Sequence, residues 1–384
     1  EDNHTEFFQE VMKWGDEQFF KSKLALNTKD TDKEYVNAED AFAHLFNKKD
    51  LSQIQEAVLW KKYSVADGVF HRLGALLASG AVDGQGPSGL SKSLVDNYLN
   101  ADGTFINPKD EKYKDFNEMF KERDARLLVT VMHSGPDCKY RASSPTNKPM
   151  NVRAYDATGT EDEMKEKNED IVSPNLNGDG NSKSVTGFHI RLGIDTTYVD
   201  NESETVVVLF RYAEGLLCYA EAAEELDLCT DDVLNKTLKP LRERAGVTYV
   251  KPTKADPNFP FTGLSPVLQE IRRERRSELA LQGFRLDDLM RWAVAGTLKG
   301  QDGRGRGAYL GEDGVLYKSF SPKGRESLKL VLKDNDGWTD PLQQYLPQGY
   351  LFDLNRDYLL PIPPDELQLN RELKQNPGWG DANE

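Results

Sequence analysis

The sequence IRRERRSELALQGFRLDDLMRW, at residues 271–292, decides the fold class of this chain. Ser265 followed by Pro266 predicts the start of its helix, because serine is a preferred N-cap and proline suits the first helical position. Apolar residues are sparse in this helix, and arginines and glutamates fill the space between them. Like charges four residues apart disfavour an isolated helix. Two such pairs occur, Arg272 with Arg276 and Glu274 with Glu278.

Two interpretations of this charged helix are open. In the first, it is a solvated face with a few salt bridges of small energetic weight. In the second, the charges find partners elsewhere in the fold. On the second we expect Glu274, Arg275, Glu278 and Arg285 to belong to a buried or half-buried ion network that fixes the fold.

The composition narrows the class of protein. The chain has 384 residues, 49 Lys and Arg against 64 Asp and Glu, and therefore a net charge of −15. Such an acidic chain is not expected to bind nucleic acid. No apolar run reaches the length of about 18 residues that a membrane span requires. Three scattered cysteines exclude a disulfide framework, and the chain begins without a methionine or a signal peptide, as a mature or truncated form would.

Local patterns predict a mainly helical, loop-rich chain. Helices are expected at 6–26, 38–47, 91–100, 205–226, 230–244 and 364–370. Residues 123–132 are expected to end as a strand, and 54–63 fit either a strand or a helix. Long irregular stretches follow at 64–91, 141–189 and 296–350, and such stretches within a domain are usually functional or mobile. The helices at 205–226 and 230–244 form a hairpin of the tetratricopeptide type, although no repeat period is visible.

Seven separated segments, in chain order, resemble the SusD/RagB family of outer-membrane nutrient-binding lipoproteins. They are EAV at 56–58 with YS at 63–64; GLS at 89–91 with LVD at 94–96; RD at 123–124 with RL at 126–127; RYAE at 211–214 with AEA at 220–222; RAG at 244–246; the opening stretch at 271–292; and LPIP at 360–363 with NPGW at 376–379. Ala125 stands where the family usually has proline. Family members are longer at the N-terminus, so we expect this chain to lack roughly the first third of the protein.

The resemblance implies a mainly α fold with tetratricopeptide-like helix hairpins and a large loop-rich half. It divides the chain into a helical scaffold at 1–63, a loop-rich ligand-facing region at 64–200, a helix hairpin at 201–250 and a C-terminal region at 251–384. It also implies a non-catalytic protein on the outer face of the outer membrane, held by an N-terminal lipid anchor that this chain lacks. Such a protein captures oligosaccharides and passes them to a SusC-like TonB-dependent transporter. A peptide-capturing protein of the RagB kind is the alternative.

Sugar recognition uses flat aromatic faces together with polar groups, and we expect these in the irregular stretches. The predicted ligand contacts are Tyr63, Phe70, His71 and Arg72 near the first stretch, and Tyr309 and Trp338 in the last. Trp338 lies in the polar turn DNDGWTD and is predicted to be an exposed platform, whereas Trp60 is predicted to pack in the core.

Two oxygen-rich segments could bind a structural calcium ion, although polar turns are the preferred interpretation. One contains Asp334, Asp336 and Asp340, and the other contains Asn175, Asn177, Asp179 and Asn181. No other cofactor is expected. A glycoside hydrolase with a hidden carboxylate pair is the remaining enzyme hypothesis, but the five histidines are isolated and no nucleophile motif appears.

Overall fold

The computed structural model describes residues 2–30, 33–34, 37–73, 81–82, 86–87, 89–133, 176, 184–194, 202–299, 303–320 and 322–380. These residues belong to two compact units. The first unit comprises Glu1–Leu281 with Gly305–Pro341, and the second comprises Gln282–Arg304 with Leu342–Glu384. The sequence segments 1–63, 64–200 and 201–250 therefore all fall within the first unit.

Helices dominate the first unit. In chain order they are α1 Asp2–Trp14, α2 Ala38–Asn47, α3 Lys92–Val95, α4 Ala125–Thr130, α5 Tyr212–Glu225, α6 Asp231–Lys236, α7 Leu238–Arg244 and α8 Pro266–Glu278. After α9 Arg285–Arg291, which belongs to the second unit, α10 Val315–Lys318 and α11 Pro322–Leu328 follow. A π-helical turn spans Gly15–Phe19, and short 3-10 helices span Val65–Asp67, Glu111–Lys114 and Glu118–Phe120. The predicted mainly α, loop-rich class is confirmed, while the tetratricopeptide-like arrangement stays a prediction.

Three antiparallel strand pairs occur among the described residues of the first unit. They are β1 Lys29–Asp30 with β2 Lys33–Glu34, β4 Ala81–Val82 with β5 Gly86–Pro87, and β3 Ala57–Lys61 with β6 Val207–Arg211. The β3–β6 ribbon settles the ambiguity at 54–63 in favour of a strand. Its register pairs Ala57 with Arg211 at one end and Lys61 with Val207 at the other.

The helix α8 lies at the centre of this unit. It packs on α5 and also contacts α4 and α7. In addition, α1 packs on α5, and α2 packs on α4. The Ser265 side chain caps α8 by accepting the Leu268 N–H at 3.0 Å, as predicted. One apolar cluster of buried residues in the described part of the chain includes Tyr98, Phe116 and Phe188.

Two helix predictions and one strand prediction were wrong in part. Residues 207–211 form a strand and not the start of the long helix, because the β-branched run there pairs with β3. Residues 125–130 form α4 and not a strand, because the Asp124 side chain caps a helix by accepting the Arg126 N–H. The helix expected at 91–100 stops at Val95, and the Arg123 guanidinium donates hydrogen bonds to the carbonyls of Val95 and Tyr98.

Two other helices differ in length. The helix predicted at 230–244 is divided at Thr237 into α6 and α7, since Pro240 has no N–H to donate to the carbonyl four residues earlier. The helix predicted at 6–26 ends in a π-helical turn at Gly15, where a Cβ atom would lie 2.3 Å from the Tyr219 ring. The helix at 38–47 is confirmed as α2.

The second unit is small and mostly irregular. It contains α9 Arg285–Arg291, a 3-10 helix at Ala295–Leu298 and α12 Pro364–Leu369, which confirms the last predicted helix. The Trp379 indole donates to the Leu359 carbonyl at 2.9 Å and ties the C-terminal segment to the rest of the unit. Within the residues described in either unit, no helix has both the length and the apolar character needed to cross a bilayer.

Candidate functional site

A buried network of charges lies beneath the helices of the first unit. Each of its side chains is at most 5% exposed. The members are the guanidinium groups of Arg126, Arg211, Arg242, Arg244 and Arg273 and the carboxylates of Asp124, Glu56, Asp256, Glu270, Glu274 and Glu278. We call this set the ion network.

Glu278 is the most connected carboxylate of the ion network. It accepts from Arg211 at 2.5 Å, from Arg126 at 2.6 Å and from Arg244. Burial by itself would raise the pKa of Glu278, but the positive charges of Arg244, Arg211 and Arg126 outweigh burial and hold the pKa below its usual range. Glu278 is therefore ionised at neutral pH and serves the fold, since general acid catalysis requires a carboxyl whose pKa is raised.

The ion network confirms the second sequence interpretation for Glu274 and Glu278. Glu274 and Glu278 pair with arginines outside their own helix, so the partners that the like charges indicated do exist. Arg275 donates to the Cys218 sulfur at 3.7 Å. Arg285 lies in the second unit. Burial lowers the pKa of Arg285 to about 10, although the negative charge of Asp288 acts in the opposite direction. Of the four expected members, the two glutamates belong to the ion network.

The loop after β3 forms a compact turn at Tyr63–His71, which we call the 63–71 turn. Ser64 and Val69 exchange two backbone hydrogen bonds of 2.6 and 2.9 Å, and Gly68 closes the turn with a φ of 68°. The Ser64 hydroxyl accepts the Asp67 N–H at 3.3 Å. At the end of the turn, His71 and Ser203 exchange backbone hydrogen bonds of 3.1 and 2.8 Å. The turn is therefore an ordered structure anchored to the chain before β6.

The structure brings three predicted ligand residues together on this turn. The rings of Tyr63 and His71 meet nearly at right angles with centroids 4.5 Å apart, and Phe70 is 42% exposed. Arg72 follows immediately and is exposed. The ammonium group of Lys61 lies 5.9 Å from the centre of the Tyr63 ring. Aromatic surface, a cation and hydrogen-bonding groups therefore share one exposed place.

Sequence reasoning missed the apolar surface of the neighbouring ribbon. About half of the surface of each of its outward residues is exposed; these are Val58, Leu59, Leu209 and Phe210. The sequence feature that could have indicated this surface is the pair of short, largely apolar runs at 57–61 and 207–211. The helix predicted at 205–226 includes the second run and therefore hides this feature. Trp60 is half-buried against the cluster that contains Phe42, so its predicted core packing is confirmed.

Trp338 and Tyr309 are buried, so the prediction that Trp338 is an exposed platform is wrong. They are 9% and 8% exposed and their rings meet 5.2 Å apart. The Lys92 ammonium lies 4.6 Å from the Trp338 ring, and the Tyr309 hydroxyl donates to Asp313 at 2.7 Å. That hydrogen bond, together with burial, raises the pKa of Tyr309 to about 12. The glycine-rich chain around them folds over these rings instead of displaying them.

The segment at 334–340 forms a turn. One carboxylate oxygen of Asp334 accepts the backbone N–H groups of Asp336 and Trp338, each at 3.0 Å. Asp336 is exposed while Asp340 is 1% exposed, so the two carboxylates lie in different surroundings. In the part of the chain that the structure describes, no three or more His, Cys, Asp or Glu side chains are arranged to hold a metal ion. The other predicted calcium segment, with Asn175, Asn177, Asp179 and Asn181, lies outside the described residues.

A separate groove of about 700 Å³ opens between the segment before β1 and the helices α2, α5 and α7. This volume is in the range of small-molecule sites. Its walls are part apolar and part polar, and Lys236, Glu243 and Asn37 are among the polar groups. The apolar wall residues are Leu24, Leu26, Ala38, Ala41, Leu216 and Pro240.

Comparisons with known proteins agree with this fold. The model of the SusD family matches residues 53–379. A SusD-like carbohydrate-binding protein from Bacteroides fragilis is 22% identical with a TM-score of 0.57, covering 96% of this chain and 60% of that one. A second SusD-like protein from Bacteroides fragilis is 18% identical with a TM-score of 0.58, covering 98% and 62%. At such identities the likeness shows the fold alone.

The chain spans about three fifths of the length of these two structures. A comparison with curated proteins gave no match. The family model, however, extends over most of the chain and includes the ion network, the β3–β6 ribbon and the 63–71 turn. The chain belongs to the SusD family.

Proposed function

We propose that this protein captures oligosaccharides at the outer face of the outer membrane, without chemical conversion, and passes them to a SusC-like TonB-dependent transporter. The observation that carries the proposal is the exposed surface of the 63–71 turn, where Tyr63 and Phe70 stand beside Lys61 and Arg72. Aromatic faces suit the apolar side of a pyranose ring, and the cations can donate hydrogen bonds to its hydroxyls. A carbohydrate-binding protein among the structural neighbours supports the same ligand class.

The absence of chemistry is part of the proposal. Ionised carboxylates in the ion network are held by arginines and lie away from solvent, which suits a fixed scaffold rather than an acid and a base. The exposed turn offers stacking surface and donors but no assembled nucleophile and base among the residues described there. A glycosidase would instead need two carboxyls flanking the ligand.

A peptide ligand is the second candidate, and the apolar groove is the observation that favours it. Leu24, Leu26 and Leu216 can accommodate an apolar side chain, which an oligosaccharide does not offer. The two candidates use different surfaces of the first unit, so substitutions can separate them.

Calorimetric titration with maltohexaose, cellohexaose, laminarihexaose and xylohexaose tests the proposal. We expect saturable heat with one of them, lost in the double variant Tyr63→Ala with Phe70→Ala. Phe7→Ala is the matched control, because Phe7 is 64% exposed but lies on α1. Silence with all four glycans, together with binding of an apolar peptide library that Leu216→Asp abolishes, would replace the oligosaccharide by a peptide. Release of reducing ends from a bound glycan would show an enzyme.

Two cellular measurements test the remaining parts. Proteolysis of intact cells should remove a protein that lies on the outer face of the outer membrane. Transport should be tested with a fluorescently labelled form of the bound hexasaccharide. Its uptake should fall when Tyr63 and Phe70 are replaced, if capture precedes delivery to the transporter.

A further inference from the structure

The hydrogen bonds of His71 fix the protonation state of its ring. The backbone N–H of Leu73 donates to Nδ1 of His71 at 3.1 Å, so Nδ1 must carry a lone pair. Nε2 lies 2.7 Å from the Thr205 carbonyl oxygen, which can only accept. His71 is therefore neutral, with its proton on Nε2, and both ring nitrogens are used within the protein.

These two bonds join three segments at the edge of the candidate site. The Nε2 bond attaches the 63–71 turn to the chain that leads into β6. The Nδ1 bond closes a small turn with Arg72 at its apex, because it links residues 71 and 73. The ring also contacts Tyr63 with centroids 4.5 Å apart. His71 thus orders the backbone of Arg72 and limits the position of the Tyr63 ring.

We propose that His71 is not itself a ligand contact but a pH-sensitive positioning residue, which holds Arg72 and Tyr63 in place for the oligosaccharide only while its ring is neutral. This inference rests on the proposed function for its ligand. Protonation adds a hydrogen to Nδ1, so that two donors face each other and the Leu73 hydrogen bond is lost. The Thr205 hydrogen bond survives, since Nε2 carries its proton in both forms.

The charged groups around the 63–71 turn do not account for the expected pH dependence. Among the described residues, Lys61 lies 5.9 Å from the Tyr63 ring that His71 contacts, Arg72 follows His71 in the chain, and Glu202 and Glu204 flank Ser203, the backbone partner of His71. Hydrogen bonds from Lys49 and from the Val65 N–H keep the pKa of Glu204 below its usual value. Between about pH 5 and 8, histidine is the side chain in this set whose charge ordinarily changes. A second cation beside Lys61 and Arg72 would add repulsion to the lost hydrogen bond.

The test begins without ligand, on the whole chain with labelled histidine. Imidazole nitrogen shifts, assigned through His71→Gln, should show the Nε2–H form at pH 8. On titration of His71, the protection of the Leu73 amide against hydrogen exchange should fall by roughly threefold to tenfold, the usual worth of one hydrogen bond. In His71→Gln the protection should be independent of pH, because glutamine stays neutral and can still donate to Thr205.

The outcomes separate this inference from the proposed function. An Nδ1–H form at pH 8, or unchanged Leu73 protection while His71 titrates, would overturn the inference whether or not any glycan binds. If one of the four hexasaccharides binds, its affinity should decrease between about pH 8 and pH 5.5 in the wild type but not in His71→Gln. Equal pH dependence in both proteins would overturn the positioning role.

Discussion

Replacing Glu278 with glutamine should destabilise the first unit by about 3 kcal/mol. Glu278 is fully buried, and its two carboxylate oxygens accept from Arg126, Arg211 and Arg244. Glutamine keeps one acceptor oxygen but turns an N–H₂ group toward a guanidinium, so a charge-assisted hydrogen bond becomes a repulsive contact. Removing one partner of a buried ion pair ordinarily costs about 3–5 kcal/mol.

The lower end of that range follows from the connectivity of the ion network. Arg211 and Arg244 each keep a hydrogen bond to Glu56, at 2.9 and 2.8 Å. Arg126 keeps Asp124 at 2.6 Å. No guanidinium is therefore left without a carboxylate, and the cost reflects one lost charge in a network that otherwise persists.

Thermal unfolding followed by circular dichroism measures the effect. A loss of this size should lower Tm by about 4 °C in a chain of this length. The matched control is Glu326→Gln, because Glu326 pairs with Lys329 at 2.6 Å but is 70% exposed. The control should melt like the wild type. If Glu278→Gln also melted like the wild type, the ion network would not stabilise the fold and the reasoning would be refuted.

The same variant gives a pH dependence whose sign is fixed. Because the folded-state pKa of Glu278 is depressed, its contribution to stability is complete above the ordinary glutamate pKa of about 4.3 and is lost as pH falls toward the folded-state value. The difference in Tm between the wild type and Glu278→Gln should therefore be constant near neutral pH and diminish in acid. A difference that grew in acid would contradict this electrostatic account.

Three further substitutions test packing and capping. Gly215→Ala should lower the free energy of unfolding, measured by urea titration, by about 1–3 kcal/mol, because a Cβ atom would lie 2.5 Å from the Phe19 ring, which is stacked on Tyr212. Gly380→Ala is the control, because the space around Gly380 is open. Ser265→Ala should cost about 1 kcal/mol by removing the cap of α8, and Ser265→Thr should restore most of the lost stability, because its hydroxyl can still accept the Leu268 N–H and donate to Glu224. Trp338→Ala should lower the free energy of unfolding by about 3–5 kcal/mol with no ligand present, since the ring is buried; loss of glycan affinity at unchanged stability would instead restore its predicted role as a platform.

Helix ends with strong local signals could be read from the sequence. Ser265 and Pro266 fix the start of α8, Thr230 caps α6, and Gly246, with a φ of 70°, ends α7. Each of these signals acts within a few residues, so its effect does not depend on distant parts of the chain. Local patterns alone predict only a mainly helical chain. The family resemblance is what adds the fold class.

Elements set by distant partners could not be predicted. The run at 207–211 is a strand only because β3 lies beside it, and α3 ends at Val95 only because Arg123 reaches its carbonyls. The sequence indicated that Glu278 has partners elsewhere, but Arg126 is 152 residues away and nothing local identifies it. The exposure of a side chain also depends on distant residues. Trp338 lies in a polar turn, yet Lys92 and Tyr309 cover its ring.

The ion network and the candidate site are connected through the β3–β6 ribbon. Glu56 directly precedes β3, Arg211 ends β6, and their side chains pair at 2.9 Å where Ala57 faces Arg211 across the ribbon. The backbone carbonyl of Glu56 also accepts the Tyr212 N–H at 2.9 Å, which joins the ribbon to α5. One end of the ribbon is therefore fixed by buried charges, while the chain leaving the other end forms the 63–71 turn. With a rigid base of this kind, we expect substitutions in the exposed turn to leave the fold beneath it intact.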